Sequence, residues 1–97
     1  MAINFTKPMI NQLQQEITEI TAKIKSVQNN KEKSKLKIDQ LQRNIQLSKS
    51  HNDISNKMTR ITKLNGEIKD SNRTQAELSK QLTLKKNSLK KLQVNGE

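Results

Sequence analysis

A seven-residue aliphatic repeat occurs twice in this chain, in two registers that do not join. The first register starts at Ile10. Its a positions are Ile10, Ile17, Ile24, Lys31, Ile38 and Ile45, and its d positions are Leu13, Ile20, Val27, Ser34, Leu41 and Ser48. Nine of these twelve are aliphatic, and alternate spacings of three and four residues place them on one stripe of an α-helix. The second register starts at Ile54. Its a positions continue through Ile61, Ile68, Gln75, Leu82 and Leu89, and its d positions are Lys57, Leu64, Ser71, Leu78, Lys85 and Leu92. Ile45 and Ile54 are nine residues apart, which is no whole number of heptads. A single straight helix cannot keep both stripes on one face.

The break falls in Ser48-Lys49-Ser50-His51-Asn52-Asp53, a wholly polar segment rich in residues that compete with helix. This predicts a first helix over 7–48, a turn over 49–53 and a second helix over 54–94. Ser50 followed by Asp53 is a variant of the capping box, which draws the second helix's start toward Ser50 to Asp53. At the other end, Thr6 is placed as N-cap of the first helix and Pro8 falls in its first turn, where a missing N–H costs little. Phe5 and Ile10 then have the spacing of a hydrophobic staple. Gly96 is placed to stop the second helix. Lys85, Lys86, Lys90 and Lys91 complement the negative end of its dipole.

Folding the chain about residue 51 pairs residues whose numbers sum to about 102. Ile10 then meets Leu92, Leu13 meets Leu89, Ile20 meets Leu82 and Ile24 meets Leu78. Ser34 meets Ile68, Ile38 meets Leu64, and Leu41 meets Ile61. Ile17 and Ile45 complete the stripe. The polar gaps coincide too: Lys31 faces Ser71, and Val27 faces Gln75. Separate heptads do not require that mirror symmetry, and it predicts an all-α, antiparallel two-helix hairpin packed like a coiled coil. Each arm of about 40 residues spans roughly 60 Å at about 1.5 Å per residue. The polar layer of Lys31, Ser34, Ser71 and Gln75 has two readings. It sets register, as buried polar residues do in coiled coils, or it marks a loosening that Asn29-Asn30 and Gly66 help to bend.

Composition bears on how such a hairpin is completed. Hydrophobic residues make up 30% of the chain, against about 45–50% by a similar count for globular domains. Phe5 is the only aromatic residue and there is no Cys, so disulfides and thiolate metal sites are excluded. Low hydrophobicity with a net charge of +10 also describes disorder, but a disordered chain has no reason to keep a heptad period. Two helices with one narrow seam bury little. Six aliphatic residues lie off the seam: Met9, Leu36, Leu47, Met58, Leu84 and Val94. They predict that the hairpin completes a three- or four-helix bundle with a partner. With Phe5, Lys85, Lys86, Lys90 and Lys91 they form the expected partner-binding set. The net charge makes an acidic helical protein the natural partner, and a hetero-oligomer the expected state.

Nothing in the chain organises catalysis. The single His51 lies in the expected turn, no serine or threonine has a base to activate it, and Gly66 stands alone rather than in a phosphate-cradling loop. No catalytic residue, metal or cofactor is predicted. The basic residues admit nucleic-acid binding, but Lys31, Lys33, Lys35 and Lys37 spread around a helix and Phe5 is the only aromatic, too few for a stacking platform. No apolar run approaches the roughly 20 residues needed to span a membrane, and the first residues lack the apolar core of a signal peptide. The expectation is a cytoplasmic protein, or one exported without a cleaved signal.

The start Met-Ala-Ile-Asn-Phe, followed by two helices of about equal length around a central turn, resembles the small helical hairpins of bacterial type VII secretion. These are the WxG-type proteins and the small partners of LXG-type toxins. The resemblance is one of architecture over the whole chain. The family's Trp-x-Gly turn is replaced by Ser50-His51-Asn52-Asp53, and its aromatic-x-x-x-acid tail is absent from Leu92-Gln93-Val94-Asn95-Gly96-Glu97. It implies a four-helix pairing with another hairpin or with a toxin's targeting domain, this chain being an adaptor for a partner that carries the export signal. Two further readings stand beside it: a basic, nucleic-acid-associated coiled coil of phage or plasmid origin, and a self-assembling structural or scaffold subunit.

Overall fold

The structure, a computed structural model, describes residues 6–95. Two helices account for nearly all of them: α1 (Thr6–Leu47) and α2 (His51–Asn95), with no strand among the described residues. They pack against each other as an antiparallel hairpin. Every a and d position of both heptads is buried or half-buried. Elsewhere, among residues 6–94, only Thr6, Glu16, Gln28 and Asp53 are half-buried, and the rest are exposed. The aliphatic period therefore explains which side of each helix faces the other. Cross-helix bonds pair Gln28 with Gln75 and Glu16 with Lys85, within a residue or so of the expected sum.

The turn is shorter than expected and sits earlier. It comprises Ser48, Lys49 and Ser50, and α2 begins at His51, ahead of residue 54 and within the Ser50–Asp53 span that the capping box marks. Ser50 is the reason. Its carbonyl accepts the first helical bond, from the Ile54 N–H at 3.0 Å, and its hydroxyl oxygen accepts from the Asp53 N–H at 3.3 Å. That is N-cap geometry, and it draws His51, Asn52 and Asp53 into the first turn. Upstream, the Ser48 N–H donates to the Ile45 carbonyl at 3.2 Å, and the Ser50 N–H to the Ser48 hydroxyl oxygen at 3.3 Å. Among the described residues no backbone adopts positive φ, so the reversal is closed by serine hydroxyls without a left-handed glycine.

The start of α1 also differs by a residue. Thr6 is its first helical position rather than the residue before it, and Pro8 keeps its place among the first-turn residues whose N–H groups have no helical partner. Ile3, Phe5 with its staple to Ile10, and Gly96 lie outside the described residues.

Close contacts gather into two units. The terminal unit joins Met1–Lys25 to Ala76–Glu97. Its centre is Ile20, which is buried, while Ile10, Leu13, Ile17, Ile24, Leu78, Leu82, Leu89 and Leu92 are half-buried. Lys85, at a d position, forms an ion pair with Glu16 at 2.6 Å. The turn unit is Ser26–Gln75. Ile38 and Leu41 are buried there, with Val27, Ile45, Ile54, Ile61, Leu64 and Ile68 half-buried.

The turn unit also holds the polar layer, in which Lys31 and Gln75 are hydrogen-bonded across the hairpin. The Lys31 ammonium donates to the Asn72 and Gln75 side-chain oxygens, each at 2.8 Å. The Gln75 amide in turn donates to the Gln28 oxygen at 2.8 Å. Both helices run unbroken past Asn29, Asn30 and Gly66. Among the described residues no buried side-chain polar atom lacks a partner. On the outer surface Thr18, Thr21, Thr59, Thr62, Thr74 and Thr83 each donate a hydroxyl to the carbonyl four residues earlier. This is how a β-branched alcohol is accommodated within a helix.

Candidate protein-docking surfaces

Exposed apolar side chains are the first requirement of a docking surface. The six off-seam aliphatics are exposed, from 50% for Met9 to 82% for Leu47. They do not form one stripe. In heptad terms Met9 is at g, Leu36 and Val94 at f, Leu47 and Leu84 at c, and Met58 at e. Positions c and f lie on the side of the helix away from the seam, whereas e and g flank it on opposite sides. In the turn unit Leu36 and Leu47 share the back of α1, eleven residues apart and so close to the same azimuth at 3.6 residues per turn.

The expected lysine set also divides. Lys85 faces the seam and is held by Glu16, so it belongs to the hairpin's own packing. Lys86, Lys90 and Lys91 are exposed. The clue to Lys85 was its d position, and its partner Glu16, missed from the sequence alone, sits at the g position beside Ile17. Three lysines occupy seam positions, and each has a partner: Lys31 as described, Lys57 with Asp53 at 2.7 Å, and Lys85 with Glu16. Asp53 itself has its pKa lowered, first by the hydrogen bond from Lys57 and then by one from Ser48. The amide residues Gln28 and Asn72, also missed, lie at e positions on one side of the hairpin, which fixes how the two helices are phased.

The other side of the terminal unit carries a trough between α1 and α2. Its outer part, about 460 Å³, has Leu13 and Leu92 in its floor, with Met9, Gln12, Glu16, Ser88 and Lys91 around it. Its inner part, about 540 Å³, shares Leu13, Glu16 and Ser88 and continues over Ile20, between Glu19 and Lys23 of α1 and Gln81, Leu84 and Lys85 of α2. A smaller hollow, about 360 Å³, lies over Asn87, Lys90, Lys91 and Val94. Charge changes along the trough. Among the described residues of the open end, 6–15 and 86–95, there are four lysines (Lys7, Lys86, Lys90 and Lys91) and no acid. The acids begin farther in, at Glu16 and Glu19.

Little here invites other chemistry. His51 is exposed at the start of α2. Among the described residues no three His, Cys, Asp or Glu side chains are grouped to hold a metal ion. No helix among them is long and apolar enough to cross a membrane. Compared with known proteins, the chain matches no family model, no curated protein and no solved structure.

Proposed function

We propose that this chain is a non-enzymatic helical adaptor that binds an acidic helical protein and completes a multi-helix bundle with it. The observation that carries this reading is the mismatch between a narrow seam and what lies outside it. Only Ile20, Ile38 and Leu41 form a buried apolar core among the described residues, and none of them is fully buried, while six large apolar side chains remain exposed. A hairpin with so small a core gains from a further helical layer. A net charge of +10 favours an acidic surface as that layer. The architectural resemblance to the small hairpins of type VII secretion supports a toxin's targeting domain as the partner and delivery as the adaptor's task.

The test is co-expression of the chain with helical proteins encoded beside it, followed by light scattering on a sizing column. A defined hetero-complex is expected. Leu84→Asp should weaken it about tenfold or more while leaving the circular-dichroism melt of the hairpin alone nearly unchanged, because Leu84 is exposed. Loss of the hairpin fold in that variant overturns the division between seam and docking face. A stable closed oligomer of the chain alone, with no hetero-complex, replaces the adaptor with a self-assembling subunit.

A further inference from the structure

The exposed aliphatics are scattered and the lysines are divided between surfaces, but the outer trough brings an apolar floor beside Lys91, and its one lining acid, Glu16, is already paired with Lys85. We propose that the outer trough of the terminal unit, floored by Leu13 and Leu92 and flanked by Met9 and Lys91, is the docking groove for an acidic amphipathic helix of the partner. This rests on the adaptor reading and assigns its binding site.

Shape comes first. The groove runs between two helices and is open to solvent along its length, so it admits an elongated ligand whose apolar side chains recur on one face. A helix does this at i, i+3, i+4 and i+7, the usual way an amphipathic helix fills a groove. Met9 is half exposed at the rim, and its unbranched thioether adapts to whatever side chain enters. Along α1 the outer trough runs from Met9 to Glu16, seven residues or about 10 Å at about 1.5 Å per residue. That matches about two turns of a bound helix.

Charge then selects and orients the occupant. Lys91 lines the groove, and Lys90 stands beside it over the hollow next to Val94. At its inner end Glu16 is already neutralised by Lys85 at 2.6 Å, and Glu19 remains as an exposed carboxylate. A helix with its acids gathered near one end fits with that end toward Lys90 and Lys91. An acid run extending inward meets Glu19 as well as Lys23 and finds no net positive charge there. A basic helix, or a second copy of this basic chain, meets like charge at the open end.

The experiment uses the full chain with methyl-labelled Met, Ile, Leu and Val, titrated with two synthetic fourteen-residue amphipathic helices. The peptides share one leucine stripe and differ only in carrying Glu or Lys at the flanking positions. The acidic peptide is expected to bind and to move the methyl signals of Met9, Leu13 and Leu92. The double variant Lys90→Glu, Lys91→Glu changes two exposed residues and leaves the seam intact. It is expected to lose at least about tenfold in affinity for the acidic peptide and to gain affinity for the basic one. Equal binding of both peptides overturns the proposal, as does an affinity that the double variant leaves unchanged. Acidic-peptide shifts centred on Leu36 and Leu47 refute the groove and leave the adaptor reading standing. No binding of the acidic peptide anywhere on the chain refutes both.

Discussion

Individual residues in this hairpin divide sharply between those that face the seam and those that face water, and Gly66 shows the consequence. It lies in the interior of α2, exposed, and a Cβ built on it meets nothing within 4 Å. Glycine in an exposed helix interior costs about 1 kcal/mol relative to alanine, because it surrenders more backbone freedom on folding. Gly66→Ala should therefore stabilise the chain by about that amount in a urea melt, with an unchanged m-value. A destabilised Gly66→Ala chain would mean that the position makes a close contact absent from the structure. The seam lysines follow the opposite logic. Lys31, Lys57 and Lys85 lie where the heptad asks for an aliphatic residue, and each is held by a partner. Their stems cover apolar surface while their ammonium groups are bonded at its edge.

At the scale of the element, the start of α2 is set by a small polar assembly. Ser50 caps the helix, and Asp53 sits in its first turn, where a carboxylate complements the helix dipole. The hydrogen bond from Lys57, with that from Ser48, holds the Asp53 pKa below its ordinary value. A carboxyl group whose pKa is depressed by folding stabilises the folded state above its unfolded pKa. That contribution is lost as pH falls through the lowered folded value. Thermal melts from neutral pH to pH about 2 should thus show an acid-side loss of stability that is smaller in Asp53→Asn. An identical acid response in the two proteins would remove Asp53 from the account. Much of this element was legible in advance. The heptads located both helices and every seam position, and the Ser50–Asp53 spacing pointed to the cap. The turn's extent was not, because His51, Asn52 and Asp53 suit a loop as well as a first helical turn until Ser50's hydroxyl is seen to bond. Nor was the side of the hairpin on which each off-seam residue lies. That depends on the phase of one helix against the other, which residues such as Gln28 and Asn72 reveal only once they are seen bonded.

For the whole molecule the dominant quantity is charge. Nineteen lysines and arginines against nine acids will attract any polyanion at low salt, whatever the natural partner is. Binding to a duplex DNA of about 20 base pairs should therefore be measurable at about 50 mM salt, fall steeply on a log–log plot, and be negligible near 200 mM, as expected of counterion release without base contacts. Binding that persists at the higher salt, or that differs between DNA sequences, would favour a nucleic-acid role over the adaptor. Acids are not spread evenly. Among the described residues only Glu32 and Asp39 occupy b positions, while Glu16, Glu19, Asp53, Glu67, Asp70 and Glu77 all lie at c or g. In the terminal unit this leaves the e and b positions with lysines and no described acid, while Glu16, Glu19 and Glu77 lie at c and g, the positions that border the trough.

The bonded layer of Gln28, Lys31, Asn72 and Gln75 bears on how the hairpin finds its alignment. An unbroken aliphatic zipper can slide by a whole heptad and still place apolar against apolar, so misaligned hairpins would be long-lived traps on the way to the folded state. Here a slide in either direction takes Lys31 from the level of Ser71 to that of Leu64 or Leu78, and strips it of both amide oxygens that now receive its protons. Misaligned forms are thereby less stable than the aligned one, which favours a single register. The cost is some apolar burial at the middle of the seam; the gain is fidelity of alignment.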